Sequence, residues 1–120
     1  MIYLNLSVTN MKEAHEFYSK KIGLFSGSYN RLVCESSPEL IIDLLEVGSE
    51  EHLSVFGSNS HVKSSFAILH GEDAKVELLD RLKEHGVQYK NEPNMMAEFI
   101  DIQDPSGNSV SIGASHGGIV

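Results

Sequence analysis

The segment Asp104-Pro105-Ser106-Gly107-Asn108 is strong turn chemistry near the end of this chain of 120 residues. Proline presets φ at the second position of a turn, and glycine tolerates the positive φ that is needed before the next strand begins. Residues 98–103 and 109–113, on either side of this segment, are predicted strands. The sequence therefore predicts that the turn joins the last two strands as a hairpin.

A helix and two further strands precede this hairpin. Asp73 is an N-cap residue, apolar residues follow it at helical spacing, and Gly86 stands where a left-handed residue ends a helix. Strands are predicted before the helix at residues 66–69 and after it at residues 87–90. The second half of the chain thus has the order strand, helix, three strands.

The first half repeats this order. Residues 2–8 alternate apolar and polar side chains, as in a strand with one buried face. Asn10 caps the next helix, with Glu13 at the capping-box position, and Gly23 ends it. The cap and the glycine lie 13 positions apart in both halves. Three strands follow, at residues 24–30, 31–36 and 40–47, and a polar linker separates the two halves.

The composition is that of a folded globular protein, with 41% hydrophobic and 22% charged residues. The net charge of −8 and the scattered basic residues give no basic stripe, so neither nucleic acid nor a membrane is an expected partner. The single cysteine, Cys34, is expected to be a small buried residue. With no secretory signal and no apolar run long enough to cross a bilayer, we expect a cytoplasmic location.

Three local features resemble the vicinal-oxygen-chelate superfamily, which contains glyoxalases, bleomycin-resistance proteins and extradiol dioxygenases. They are the first strand and helix, the second helix with its terminal glycine, and the final hairpin. The residues that carry them are Val8-Thr9-Asn10 with Ala14, Phe17-Tyr18 and Ile22-Gly23-Leu24, then Leu-Asp-Arg-Leu-Lys-Glu-His-Gly-Val at residues 79–87, and Asp104-Pro105-Ser106-Gly107-Asn108-Ser109-Val110. Together they cover nearly the whole chain except the linker.

The resemblance implies an α+β fold of two tandem βαβββ modules, whose curved mixed sheets enclose a cavity and carry the helices outside. We expect one domain over residues 1–120, with module one at about residues 1–48, a linker at about 49–62, module two at about 63–113 and a flexible tail at 114–120. A homodimer is expected, with each cavity formed within one chain or shared between two chains.

Enzymes of this superfamily hold a divalent ion with side chains, usually His and Glu, from the first and last strand of each module. The resemblance places Tyr3, Asp43, Ser65 and Ser111 at these positions. Only Asp43 is a good ligand, because a phenol and hydroxyls bind divalent ions weakly. We therefore expect no cofactor. A divalent metal is not excluded, since Asp43 could share it with a residue outside this alignment, such as His70.

The cavity is expected to present hydrogen-bonding side chains instead. Strand alternation predicts that Ser7 faces the cavity, on the same side of the first strand as Tyr3 and Asn5. The third strand contributes one of two alternating sets of side chains to the cavity, either Arg31, Val33 and Glu35 or Leu32 and Cys34. The predicted ligand-binding residues are Tyr3, Asn5, Asp43, Ser65, Phe99, Asp101 and Ser111.

Asp43 is the candidate catalytic residue. An unpaired acid in such a cavity could have a raised pKa and serve as a general base or as a receptor for a cation. Alternatively, a neighbouring donor such as Asn5 or Tyr3 neutralises Asp43, which then only orders the sheet. None of the six histidines, including His52 and His61 of the linker, fits a metal-binding motif.

Three functions follow from this pattern. The first is a metal-free protein that resembles bleomycin-resistance proteins and binds a small organic molecule, which the acidic balance predicts to be cationic or amine-bearing. The second is a glyoxalase-like lyase or a dioxygenase that depends on a metal ion. The third is a structural module without a ligand. Whether catalysis occurs is left open by the sequence.

Overall fold

The structure, a computed structural model, describes residues 1–70, 75–93 and 97–115, without the side chains of His70, Glu92, Pro93, Ala97, Ala114 and Ser115. The strands are β1 Ile2–Val8, β2 Phe25–Ser28, β3 Arg31–Cys34, β4 Leu40–Glu46, β5 Ser65–His70, β6 Tyr89–Pro93, β7 Ala97–Gln103 and β8 Ser109–Ser115. The helices are α1 Met11–Glu16, which continues as the π-helical segment Phe17–Ile22, α2 Glu50–Phe56 and α3 Lys75–Glu84.

The two halves of the chain form two sheets with the same topology. The strand order is β1-β4-β3-β2 in the first sheet and β5-β8-β7-β6 in the second. In each sheet the first strand pairs in parallel with the last strand of its module, and the other pairs are antiparallel. The predicted α+β fold of two βαβββ modules is confirmed.

The local signals around the first helix act as predicted. The side chain of Asn10 accepts a hydrogen bond from the backbone N–H of Glu13 at 3.0 Å, which caps α1. Gly23 ends the π-helical segment with a φ of 74°, a left-handed conformation that favours glycine. The corresponding cap of the second module, Asp73, lies outside the described residues, as do residues 116–120 of the predicted tail.

The turn at residues 104–108 joins β7 to β8, so the predicted hairpin is confirmed. The backbone N–H of Asp104 donates to the carbonyl of Asn108 at 2.8 Å, and that of Gly107 donates to the carbonyl of Asp104 at 3.0 Å. Gly107 has a φ of 91°, which an L side chain rarely adopts. The strand that follows extends to Ser115, two residues beyond the predicted end of the second module.

The segment predicted as a linker contains a helix. Ser49 caps α2 by accepting from the N–H of His52 at 3.1 Å, and Gly57 ends the helix with a φ of 68°. Because α2 lies over the end of β1, Ser7 is fully buried. The prediction that Ser7 faces a cavity is therefore wrong, since it treated the covering segment as a loop.

One apolar core joins both modules. It contains one face of each sheet and the inward sides of the π-helical segment and α3. Cys34 is fully buried in this core, as predicted for a small apolar residue. The opposite face of each sheet carries the polar residues of the strand alternation and is called its polar face below.

Candidate functional site

The polar face of the first sheet brings three predicted or candidate residues into one row. Asn5 of β1 is the register partner of Asp43 of β4, and Asp43 is the register partner of Arg31 of β3. Register partners in a sheet project to the same side. Of the two sets left open for the third strand, Arg31 and Val33 lie on the polar face, whereas Leu32 is buried with Cys34 in the core.

Asp43 is held by Arg31. Nε of Arg31 donates to Oδ1 of Asp43 at 2.8 Å, and Nη2 donates to Oδ2 at 3.2 Å. This hydrogen bond, followed by the charge of the carboxylate, raises the pKa of the guanidinium. The expected donors Asn5 and Tyr3 do not bond to Asp43. The expectation erred because the register between β3 and β4 places the stronger donor, a guanidinium, directly beside the acid.

Tyr3 contributes an aromatic surface next to this ion pair. Its ring centroid lies 5.4 Å from Cζ of Arg31, within the range of a cation–π contact. The side chain of Tyr3 is exposed, and its hydroxyl donates to the sulfur of Met1 at 3.5 Å. Tyr3, Arg31 and Asp43 therefore form one connected group, called the Arg31 cluster below.

The polar face of the second sheet contains an equivalent row. Ser111 of β8 donates to Oδ1 of Asp101 of β7 at 2.5 Å, and Lys90 of β6 is the register partner of Asp101. Ser65 is exposed at the start of β5, beside Ser109 of β8. Lys90 was not among the residues predicted from the sequence, because its place beside Asp101 depends on the register of β6 and β7.

A glycine shapes the apolar end of this second face. A Cβ atom on Gly113 would lie 2.9 Å from Cε1 of Phe99 and 3.0 Å from Cδ2 of Leu69, closer than such contacts normally permit. Glycine at this position lets the two side chains approach each other across β8. Phe99, a predicted ligand-binding residue, is half-buried there, and Leu69 is exposed.

A groove of about 1060 Å³ runs along the second sheet. Its lining includes Lys90, Asp101 and Ser111 together with Phe17 and Lys21 of the π-helical segment. Within one chain the groove is open to solvent. Two of the predicted ligand-binding residues thus share a groove, whereas the remaining five lie outside its lining: Tyr3, Asn5, Asp43, Ser65 and Phe99.

The positions that the resemblance assigns to a metal ion do not form a suitable donor set. Asp43 uses both carboxylate oxygens for Arg31, and the hydroxyl of Ser111 is bound to Asp101. Among the described residues, no group of three or more His, Cys, Asp or Glu side chains could hold a metal ion. The side chain of His70, the candidate additional ligand, lies outside the described set.

A second polar cluster, which the sequence analysis missed, lies buried between β1 and α2. The hydroxyl of Ser7 lies 2.6 Å from Nε2 of His52 and accepts from the N–H of Val62 at 3.1 Å. Nδ1 of His52 lies 2.9 Å from the carbonyl oxygen of Ser58, which can only accept, so Nδ1 carries the hydrogen and Nε2 accepts from Ser7. Because His52 and Ser7 are fully buried, this cluster orders the fold rather than contacting a ligand.

Comparison of the sequence with known proteins does not identify a family. No protein-family model matches the chain, and no curated protein matches it significantly.

Within the described residues, no helix is long and apolar enough to span a membrane.

Solved structures do match over nearly the whole chain. Oxidase ChaP-H1 superposes with a TM-score of 0.72 at 15% identity, over 99% of this chain and 98% of its own. A glyoxalase/bleomycin resistance protein/dioxygenase from Nocardioides gives 0.66 at 18% identity, over 98% and 84%. A lactoylglutathione lyase from Agrobacterium tumefaciens gives 0.65 at 18% identity, over 95% and 92%. The chain therefore has the vicinal-oxygen-chelate fold.

Proposed function

We propose that the protein binds a small organic molecule on the polar faces of its two sheets, without a metal ion, in the manner of bleomycin-resistance-type proteins. The ion pair between Arg31 and Asp43 is the observation that carries this proposal. It commits the one carboxylate among the four family metal positions to a guanidinium. The same faces retain hydrogen-bonding groups and exposed aromatic or apolar surface, which suit recognition of an organic molecule.

A metal ion at Asp43 would have to displace Arg31. The ion would then gain one carboxylate, an exposed phenol and two hydroxyls, of which that of Ser111 already donates to Asp101. Divalent ions need several anionic or imidazole ligands to offset the loss of their hydration. The chemistry of the donor set thus favours hydrogen-bonded recognition over Lewis-acid catalysis.

The ligand site is completed by a second copy of the chain. In one copy the groove on the second sheet is open to solvent, Tyr3 and Arg31 on the first polar face are exposed, and β1 and β5 are edge strands of their sheets. Exposed apolar side chains lie along these edges, namely Ile2 on β1 and Leu69 on β5. In a dimer with a two-fold axis, β1 of each copy would lie beside β5 of the other copy. These two equivalent contacts would bury the edge strands and close two cavities.

Ligand binding is tested by a thermal-shift screen of aromatic and heterocyclic compounds, both acidic and basic, against the full chain. A binder at one hundred times its Kd stabilises the folded state by about 2.7 kcal/mol, which such a screen detects. Metal analysis of protein purified without chelator runs in parallel. Hits from metal-free protein support the proposal, whereas a stoichiometric ion, or no hit in the whole set, contradicts it.

The dimer is tested by light scattering with two matched variants. Leu69 on β5 and Val76 on α3 are each 66% exposed, but only Leu69 lies on a polar face. We expect wild type and Val76→Glu to be dimeric and Leu69→Glu to be monomeric. A monomeric wild type, or equal masses for the two variants, contradicts this assembly. A cytoplasmic location, in keeping with the single buried cysteine, remains part of the proposal.

A further inference from the structure

We infer that the Arg31 cluster binds the carboxylate of an aromatic acid. This inference rests on the proposed function, because it names the chemical class of ligand for one of the two polar faces. It replaces the expectation of a cationic ligand, which rested on the acidic balance of the chain and on an unpaired, inward-facing Asp43.

The free hydrogen-bonding capacity of the ion pair is on the arginine. A guanidinium carries five N–H donors, and Arg31 uses two of them for Asp43 through Nε and Nη2. No described residue accepts from the other three, which belong to Nη1 and Nη2. These two nitrogens form the end-on edge of the guanidinium, whose parallel N–H groups match the two oxygens of a carboxylate.

The two side chains of the ion pair differ in their exposure to solvent. The side chain of Arg31 is 57% exposed, whereas that of Asp43 is 13% exposed. The acid therefore lies at the floor of the face with both oxygens occupied, and the cation is the part that a ligand meets. A ligand amine would find no free carboxylate here and would be repelled by the guanidinium. A ligand carboxylate would find oriented donors.

Two contacts hold those donors in place. Asp43 fixes one edge of the guanidinium, and the ring of Tyr3 contacts it at 5.4 Å. A donor group that is already oriented loses less conformational entropy on binding than a free arginine would. The exposed ring of Tyr3 also offers apolar surface beside the free edge, so that an aromatic acid can pack its own ring while its carboxylate meets Arg31.

The test is a titration of the isotope-labelled full chain with benzoate, followed by nuclear magnetic resonance. Benzylamine and cyclohexanecarboxylate serve as matched probes that change only the charge or only the aromaticity. We expect benzoate to shift the Nε–H signal of Arg31 and to bind more tightly than either probe. Arg31→Lys keeps the positive charge but loses the two parallel N–H groups of the guanidinium, and should raise the Kd for benzoate at least about tenfold.

Two further variants test which residues are responsible for the binding of benzoate. Lys83→Gln removes an exposed cation from α3, away from both polar faces, and should leave the Kd for benzoate unchanged. Tyr3→Leu should reduce the preference for benzoate over cyclohexanecarboxylate. Unfolding curves verify that each variant is folded, which the exposure of Arg31, Tyr3 and Lys83 favours.

The inference fails if benzoate does not bind, if Arg31→Lys binds it as well as wild type does, or if benzylamine binds more tightly. In each of these cases, screen hits whose signals map to Asp101 and Ser111 would leave the proposed function standing with a different ligand class. If no compound in the screen binds either, the proposed function fails as well.

Discussion

The hydroxyl of Tyr18 donates to Oδ2 of Asp104 across 2.8 Å, although the two residues belong to different modules. The same carboxylate accepts from the backbone N–H groups of Ser106 and Asn108 and from the side-chain amide of Asn108. Asn108 also donates to the carbonyl of Ser7 in β1. The turn of the last hairpin is therefore a buried joint between the modules.

Removing the Tyr18 hydroxyl should loosen this joint. A buried hydrogen bond to a charged acceptor typically contributes about 1.5–3 kcal/mol, so Tyr18→Phe should lower the free energy of unfolding by about 2 kcal/mol. Tyr29→Phe is the matched control, because Tyr29 is exposed and its hydroxyl has no hydrogen-bond acceptor among the described residues. Urea unfolding at pH 7 measures both variants. Equal losses in the two variants would contradict the assigned role of Tyr18.

The same pair predicts a dependence of stability on alkaline pH. Burial, then the charge and hydrogen bond of Asp104, raise the pKa of Tyr18 well above its ordinary value of 10.0. The folded state thus retains the phenolic proton that the unfolded chain releases. The stabilisation is fully present below the unfolded pKa and is lost as pH rises from there towards the folded pKa.

The difference in the free energy of unfolding between wild type and Tyr18→Phe measures this loss of stabilisation directly, because the other tyrosines are present in both proteins. This difference is called the stability gap below. We expect the gap to be constant from pH 7 to 9 and to shrink above about pH 10, by at most about 1.4 kcal/mol per pH unit. Urea unfolding at half-unit steps up to pH 11 measures it. An unchanged gap at pH 11 would show that Tyr18 titrates alike in both states.

Gly23 should be sensitive to substitution for two separable reasons. Its φ of 74° is strained for any L side chain, and an added Cβ would lie 2.7 Å from Nε of Arg81. Gly57 has a nearly equal φ of 68° but open space around it. Gly57→Ala should therefore cost about 1 kcal/mol, and Gly23→Ala should cost up to about 1 kcal/mol more, because the flexible side chain of Arg81 must move away.

Arg81 provides the check on the steric part. In an Arg81→Ala background, Gly23→Ala should cost about as much as Gly57→Ala, which a double-mutant cycle of unfolding free energies measures. If the extra cost persists without Arg81, the close approach of the two residues is not its cause.

Sequence reasoning recovered those parts of the fold that depend on neighbouring residues. The Asn10 cap, the left-handed Gly23 and the turn at residues 104–108 each depend on the chemistry of about five consecutive positions. Strand alternation also indicated that Asp43 and Asn5 share a face. Such signals are local and do not require knowledge of the packing.

The parts that failed depend on register between distant segments. Arg31 and Asp43 are paired because the β3–β4 connection at residues 35–39 sets their strands in register, and alternation alone leaves that register open. The burial of Ser7 required recognition of α2, whose own signals were present. Ser49 precedes Glu50 and Glu51, as an N-cap precedes an acidic first turn, and Gly57 ends the segment.

Ser7 provides the last prediction, because its hydroxyl serves two buried groups at once. In Ser7→Ala the N–H of Val62 loses its acceptor and Nε2 of His52 loses its donor. Each unsatisfied buried group costs about 1–3 kcal/mol, so the variant should lose about 2–6 kcal/mol of stability in urea unfolding. Ser54→Ala, on the exposed side of α2, is the control and should change stability by less than about 0.5 kcal/mol. A loss in Ser7→Ala as small as that of the control would mean that α2 does not depend on this cluster to cover β1.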